Sequence, residues 1–338
     1  MDLIRPIAAA DLDALLELAQ SAGTGFTSLP PNREVLAAKI ERSLHSFAHK
    51  VQTPGNERYL FVLENDRGQV VGCSAVEAAC GLDEPFYNYH VGLTVHASPT
   101  LGVYTRVPTL YLSNDLTGSS VLCSLYLSPP ARRAHAGRLL SKCRFLFMAQ
   151  FAGRFAERVV AELRGVSNAR GRSPFWEGLG RHFFTLDYAE AEHTVGRGNK
   201  ACIAELMPRH PIYVSLLPPE ARAVLGQAHP DSRPAQRLLE QEGFRYQQYV
   251  DIFDGGPAVE APRAEIRSVR KSVCGSARVQ DALDPSTPLH LLANARLGGF
   301  RCVIAPAGLE AGGITLAADA ARALQIGSGD ALRAAPLV

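Results

Sequence analysis

Two groups of residues in this 338-residue chain have types and spacings that suit chemistry. The first is Arg132 and Arg133 with Gly137, in the run Ser128-Pro129-Pro130-Ala131-Arg132-Arg133-Ala134-His135-Ala136-Gly137. Backbone N–H groups at the start of a helix lack partners, and two arginines beside them make a site for a phosphate or pyrophosphate. The same residues also fit an ordinary strand–helix unit whose basic side chains face water. The second is His229, one of ten histidines, which sits in Gly226-Gln227-Ala228-His229-Pro230, a loop between helical stretches. An imidazole there suits proton transfer near neutral pH.

Composition sets the limits. The chain is 46% hydrophobic and 20% charged, the texture of a soluble globular protein with little room for disorder. Its length allows about two domains. The net charge is +2 and no run of Lys or Arg is long, so neither a nucleic acid nor a membrane surface is expected as a partner. The opening MDLIRPIAAADLDALLELAQ lacks the pattern of a signal peptide, and no apolar stretch approaches the roughly 20 residues of a membrane helix. The seven cysteines form no C-x-x-C pair and lie mostly in apolar segments, which predicts reduced cytoplasmic thiols and neither a disulfide scaffold nor a metal site. There is no G-x-S-x-G elbow of a serine hydrolase and no G-x-x-x-x-G-K-[ST] loop of a P-loop kinase.

The elements that position these residues follow from periodicity. Val121 to Leu127 is almost wholly apolar and reads as a central strand covered on both faces. Ser128 is expected to cap the following helix, whose first turn tolerates Pro129 and Pro130. Ala136, Leu139, Leu140, Cys143, Phe147 and Phe151 then recur at helical spacing and pack onto the sheet. Upstream, Leu3 to Ile7 is a short edge strand, 10–22 a helix, and Asn32 caps a second helix to about Lys50. Tyr59–Glu64 and Val70–Ala79 form a hairpin around Asp66-Arg67-Gly68-Gln69. Strands at about 87–97 and 103–112 join 121–127 in a largely antiparallel meander, and Val159 to Leu163 is the next strand. Such a sheet, splayed near its middle, opens a slot between its strands. The fold class is α+β, a mixed, largely antiparallel sheet flanked by helices.

Further on, Ser173 caps a helix that carries Trp176 into the core, Ala201 to Met207 is a strand candidate, and 220–227 and 234–242 are helical. Tyr249 to Phe253 is a strand. After about Pro262, short β-like runs near 287–293 and 300–305, Gly turns and one helix at 316–324 suggest a small β-barrel-like region. The expected division is 1–262 and 263–338.

The register Arg132-x-x-His135-x-Gly137 is similar to the Arg/Gln-x-x-Gly-x-Gly/Ala loop with which GNAT-class acyl-CoA N-acyltransferases hold their cofactor, with His135 where that pattern has Gly. Ordered motifs over roughly residues 1–272 resemble the arginine N-succinyltransferase family. They are Thr27-Ser28-Leu29-Pro30, Tyr87-Asn88-Tyr89, His96-Ala97-Ser98, Leu112 through Gly118, Leu140-Ser141-Lys142 and Ser173-Pro174-Phe175-Trp176. They continue with Ala204 through Pro208, Pro211-Ile212-Tyr213, Gly226 through Pro230, Glu242-Gly243-Phe244 and Asp251 through Pro257. The resemblance implies a GNAT-like domain that uses succinyl-CoA to acylate the α-amine of L-arginine, the first step of the arginine succinyltransferase route of arginine catabolism. It carries over Leu125, in the strand, for succinyl-CoA, and His229 as proton donor. Some members occur as paired paralogous subunits that also accept ornithine.

That reaction needs a neutral amine, a polarised thioester carbonyl and a proton for the leaving thiolate. Backbone N–H groups at a splayed strand bind cofactor amides and a developing oxyanion, so Leu125 would act through its main chain. The guanidinium of arginine calls for a carboxylate. Asp115, Glu162, Glu205 and Asp254 are candidates, and Asn114-Asp115, in a loop ahead of the central strand, is the favoured lining of the substrate pocket. Arg164 and Arg172 are candidates for the succinyl carboxylate. The other readings are an acyltransferase with ornithine or another amine as acceptor, or with another acyl-CoA, and a non-catalytic partner subunit that binds CoA or arginine and regulates an active paralogue. The expected protein partner is a paralogous subunit or a second copy in a homo-oligomer.

Overall fold

Arg58–Glu64 (strand β2) is apolar between its ends and buried along almost its whole length. Because side chains alternate along a strand, Tyr59, Phe61 and Leu63 enter one core and Leu60 and Val62 another. Helix α3 (Ala136–Gln150) covers the first face with Leu139, Leu140, Cys143, Leu146 and Phe147. Helices α1 (Leu12–Ala22) and α2 (Arg33–Ala48) cover the second with Leu15, Leu18, Leu36 and Ile40. The Asn32 side-chain oxygen accepts from the Val35 N–H at 3.0 Å, the cap the sequence predicts.

The computed structural model describes residues 1–23, 27–133, 135–168, 170–188, 190–191, 194 and 205–337. Among these, fifteen strands join one hydrogen-bonded sheet. Across it run β12 (Leu289–Asn294), β15 (Ala331–Pro336), β11 (Val273–Gln280), β14 (Gly313–Ala317), β13 (Cys302–Glu310), β1 (Leu3–Pro6) and β2. Then come β3 (Val70–Glu77), β6 (Ser120–Leu127), β7 (Arg158–Glu162), β10 (Pro257–Pro262), β9 (Arg245–Asp251), β4 (Asn88–Ser98), β5 (Val103–Ser113) and β8 (Ile212–Tyr213). Only β6–β7 and β11–β14 are parallel, so the mixed, largely antiparallel α+β plan holds.

β12 also pairs with β13, which closes β11–β15 into a ring of five strands. The ring has its own core of Leu292, Val303, Ile314, Leu316 and Leu332, with helix α5 (Ala318–Leu324) supplying Ala320 and Leu324. It joins the larger sheet where β1 meets β13, at Ile4 opposite Cys302, and it seats Leu291, Phe300 and Leu337 in the core beneath α3.

Trp176, on α4 (Pro174–Gly178), is fully buried against Phe184 and Phe253, as core packing predicts. Several details differ from expectation. β1 is not an edge strand but lies between β2 and β13, and the strand expected over 249–253 runs from Arg245 to Asp251. Ser128 caps no helix: Pro129–Ala131 form a separate single turn, and α3 starts at Ala136 with His135 as its cap. Prolines at 129 and 130 fit that turn, and the chain needs a left-handed residue to turn again into α3. The strand expected over 201–207 falls at 201–204 outside the described residues, while Glu205 and Leu206 are helical. Among the described residues, no helix is long and apolar enough to cross a membrane.

Candidate active site

β6 and β7 run parallel but share only two register pairs, Ser120–Val159 and Val121–Val160. Beyond them the strands part, and a cleft of about 170 Å³ opens between them, lined by Leu122 to Leu125 on one side and Ala161 to Arg164 on the other. A bulge lies on the β6 wall. Cys123 pairs with Ala75 and Tyr126 with Cys73, so Ser124 and Leu125 together oppose Ser74. Ser124 takes a left-handed backbone, φ 52°, and is pinned there. Its N–H donates to Ser28 Oγ at 3.1 Å, its Oγ to Ser28 O at 3.0 Å, and Arg58 Nη2 donates to it at 2.9 Å. Arg58 is buried and ion-paired with Glu77. The bulge takes the Leu125 main chain out of register with β3 at the mouth of the cleft, while its side chain packs on the α3 core.

The anion loop lies at the same end of β6. His135 holds φ 70° and ψ −18°, the conformation for which the GNAT pattern uses Gly, and α3 follows directly. Arg132 Nε donates to Leu127 O at 3.2 Å. Arg133 is exposed and ion-paired with Asp2, which raises its basicity further. A Cβ placed on Gly137 would meet no atom within 4 Å, so the space above the first turn of α3 is open. Splayed strands, bulge and helix-start loop together are the arrangement expected of a GNAT-class acyltransferase.

His229 stands beside the cleft and not in its lining. Its N–H donates to Arg164 O at 2.8 Å, and Ala228 bridges Gly165, which ties the loop to the chain leaving β7. The ring Nδ1 accepts from the Asp231 N–H at 3.2 Å, which leaves the proton of the neutral ring on Nε2. The Asp231 carboxylate is 3.6 Å from Nδ1. Burial lowers the ring's pKa, the Arg164 guanidinium lowers it further, and Asp231 opposes both. His229 is therefore neutral at pH 7.

The proposed acceptor groups are dispersed. Asn114 and Asp115 do not line the cleft; the Asp115 carboxylate accepts from Tyr249 Oη at 3.1 Å, and its backbone N–H donates to Ser113 Oγ at 3.0 Å. Glu205 is exposed and outside the lining, and Arg172 pairs with Glu177 at 2.9 Å on the surface. Glu162, Arg164 and Asp254 do line the cleft. Glu162 accepts from Asn88 Nδ2 at 2.7 Å. Asp254 accepts from the Gly165 and Gly256 N–H groups at 2.6 and 2.8 Å and from Tyr188 Oη at 3.3 Å, so it braces the wall of the cleft. Sequence reasoning passed over one lining residue, Arg144, a charge set between the apolar Cys143 and Phe145 of α3. That interruption of an apolar helix face was its signal.

The family model described as "Arginine N-succinyltransferase beta subunit" matches residues 2–268, and that of the same protein's C-terminal domain matches 275–336. An arginine N-succinyltransferase of Yersinia enterocolitica is 49% identical over 98% of this chain and 96% of its own length. An arginine N-succinyltransferase subunit beta of Pseudomonas aeruginosa is 47% identical over 99% and 98%. The solved structure of arginine/ornithine succinyltransferase subunit AI from P. aeruginosa covers 100% of this chain and 99% of its own, with a TM-score of 0.92 and 39% identity.

Proposed function

The chain belongs to the arginine N-succinyltransferase family, and from that premise we propose that it transfers the succinyl group of succinyl-CoA to the α-amine of L-arginine. The products are N-succinyl-L-arginine and CoA. The observation that carries the reading is the splayed, bulged cleft between β6 and β7 in a chain similar to these succinyltransferases over nearly its whole length.

In this reading the pyrophosphate of succinyl-CoA lies against the first-turn N–H groups of α3, beside Arg132 and Arg133 and over Gly137, where no Cβ intrudes. The pantetheine arm lies in the opening between the strands. The Leu125 main chain, out of register at the bulge, hydrogen-bonds the acyl-CoA and stabilises the oxyanion that forms as the amine attacks. The N–C bond forms, the C–S bond breaks, and the sulfur takes up a proton. The proton that the amine sheds passes to water, and His229, neutral at pH 7, takes one up from water at Nδ1. On protonation Nδ1 exchanges the Asp231 N–H for the Asp231 carboxylate, and the imidazolium then gives the thiolate its proton from Nε2. Of the carboxylates proposed for the guanidinium, Glu162 suits the role better than Asp254, whose oxygens brace the wall, while Asn114 and Asp115 would serve only from outside the cleft.

Cys73, Cys80 and Cys143 are buried free thiols pushed up to about 12 by burial, in keeping with a cytoplasmic enzyme that uses no cysteine chemistry. Residues 263–338, with the five-stranded ring, form the second unit of the proposal and support the α3 side of the core.

The test is thiol release by the purified chain with succinyl-CoA and L-arginine, L-ornithine, L-lysine or agmatine. Release with arginine and not agmatine is the expected result. Release with ornithine instead would shift the acceptor, which the arginine/ornithine likeness makes the natural second reading. Release with none of the four, restored by a paralogous subunit, would make the chain a partner and not the catalyst.

A further inference from the structure

Arg144 is 2% exposed, yet no carboxylate pairs with it among the described residues. Nε donates to Ser141 O at 2.9 Å and Nη2 to Ser141 Oγ at 3.1 Å, both within its own helix, and Nη1 has no hydrogen-bond partner among the described residues. Its ionisable neighbours are the thiols of Cys143 and Cys123, and burial keeps both of these neutral. The side chain nevertheless lines the cleft, beneath Leu122, Cys123 and Leu125 of the bulged strand.

The other buried arginines set the contrast. Arg58 is ion-paired with Glu77. Arg154 directs its two Nη atoms to three oxygens, those of Ser46, His49 and Tyr59, and is a structural brace. The carboxylates that share the cleft with Arg144 are held elsewhere: Glu162 by Asn88, Asp251 by the N–H groups of Phe253 and Asp254, and Asp254 by Gly165 and Gly256. A guanidinium buried without a counter-charge is unfavourable unless something else supplies the charge, and its fork geometry matches a carboxylate.

We propose that Arg144 receives the free carboxylate of the succinyl group and so sets the enzyme's preference for a dicarboxylic acyl-CoA over a neutral acyl-CoA of equal length. The inference rests on the acyl-CoA reading above, since the acyl chain must enter the cleft between β6 and β7 to reach α3. An acetyl group would leave the guanidinium uncompensated. A butyryl group, with a methyl where succinyl has its carboxylate, would place an apolar end against it.

The experiment is equilibrium binding without an acceptor amine, by calorimetry, of succinyl-CoA and butyryl-CoA to the wild type and to Arg144→Met and Arg144→Lys. A charge-assisted contact to a buried carboxylate predicts that the wild type binds succinyl-CoA roughly 10- to 100-fold tighter than butyryl-CoA. Arg144→Met is expected to erase that preference by weakening succinyl-CoA alone, and Arg144→Lys to retain part of it. Equal binding of the two ligands by the wild type would overturn the proposal without any variant, which covers the case of a substitution that does not fold. So would a loss of affinity for both ligands together in Arg144→Met, which would mark the side chain as a support for the fold. A wild type that prefers succinyl-CoA but releases no thiol with any amine would remove the acceptor reading and leave the role of Arg144 standing.

Discussion

Replacing Lys142 with Met tests how firmly helix α3 is held. Lys142 and Glu242 have side chains only 3% and 1% exposed, with Nζ 2.9 Å from Oε1. Nζ also donates to Leu337 O at 3.0 Å, and Glu242 accepts from the Ser268 N–H at 2.7 Å and Ser268 Oγ at 2.9 Å. Methionine fills much of the lysine stem's volume but brings no charge, so the Glu242 carboxylate would stay buried with Ser268 as its remaining donor. Breaking a buried pair from one side costs about 3–5 kcal/mol. The two surviving bonds from Ser268 put this case at the low end, about 3 kcal/mol. At about 2 °C per kcal/mol, the smaller shift that suits a long chain, the melting temperature should fall by about 6 °C. Neutralising both partners, Lys142→Met with Glu242→Gln, removes the stranded charge and should recover most of the loss. Differential scanning calorimetry of the two singles and the double decides it. Strictly additive losses would refute the reasoning, because they would mean that the two charges do not sense each other.

Four further outcomes follow from the site. Gly137→Ala should leave the melting temperature within about 1 °C and raise the KM for succinyl-CoA about tenfold, since the added methyl meets no protein atom and only a bound pyrophosphate can feel it; steady-state kinetics with a parallel melt would show both. The kcat profile should rise as pH climbs through a value below 6.5, where His229 loses its proton, and His229→Gln should flatten that limb while lowering turnover throughout. The same lowered pKa means that the unfolded chain binds the proton more readily below pH 6.5, so the wild type should lose stability relative to His229→Gln as pH falls, and retain it above; melts between about pH 5 and pH 8 test the sign. Gly256→Ala should cost about 3 kcal/mol, because its Cβ would overlap Leu163 O and lie 2.5 Å from the Gly165 N, both backbone atoms with no room to retreat; a soluble, normally melting variant would contradict it.

Much of this was legible in the residues. The almost wholly apolar run of β6 marked a strand covered on both faces, and Leu139, Leu140, Cys143 and Phe147 marked the helix that covers it. The Asn32 and Ser173 caps were readable because a cap is a local interaction, complete within four residues. The starting point of α3 was not readable. Ser128-Pro129-Pro130 has the chemistry of a helix start, and only the left-handed backbone of His135, a residue with a Cβ, shows that the chain turns twice. β10, β11, β14 and β15 escaped notice because they are short, rich in Ala, Gly and Pro, and defined by partners distant in sequence, where pairing outweighs propensity. Arg144 escaped for a related reason. Its neighbours in sequence are apolar, and its orientation toward the cleft exists only once β6, β7 and α3 have assembled.

The pairing of β1 with both β2 and β13 has a consequence for how the protein is made. Ile4 sits opposite Leu63 on one side and Cys302 on the other, a partner about 300 residues later in the chain. Phe61 and Phe147 likewise wait for Phe300, whose ring closes the aromatic cluster 5.5 and 5.0 Å from theirs. At a synthesis rate of about 5–20 residues per second, β13 leaves the ribosome roughly 15–60 s after β1. For roughly the last 2–10 s of that interval, after Asp254 has emerged, the region that carries the cleft is complete but uncovered, with an open sheet edge and an aromatic surface exposed to other nascent chains. A chain shortened ahead of the ring would remain in that state, so loss of the last five strands should appear first as aggregation during expression and not as a change in chemistry.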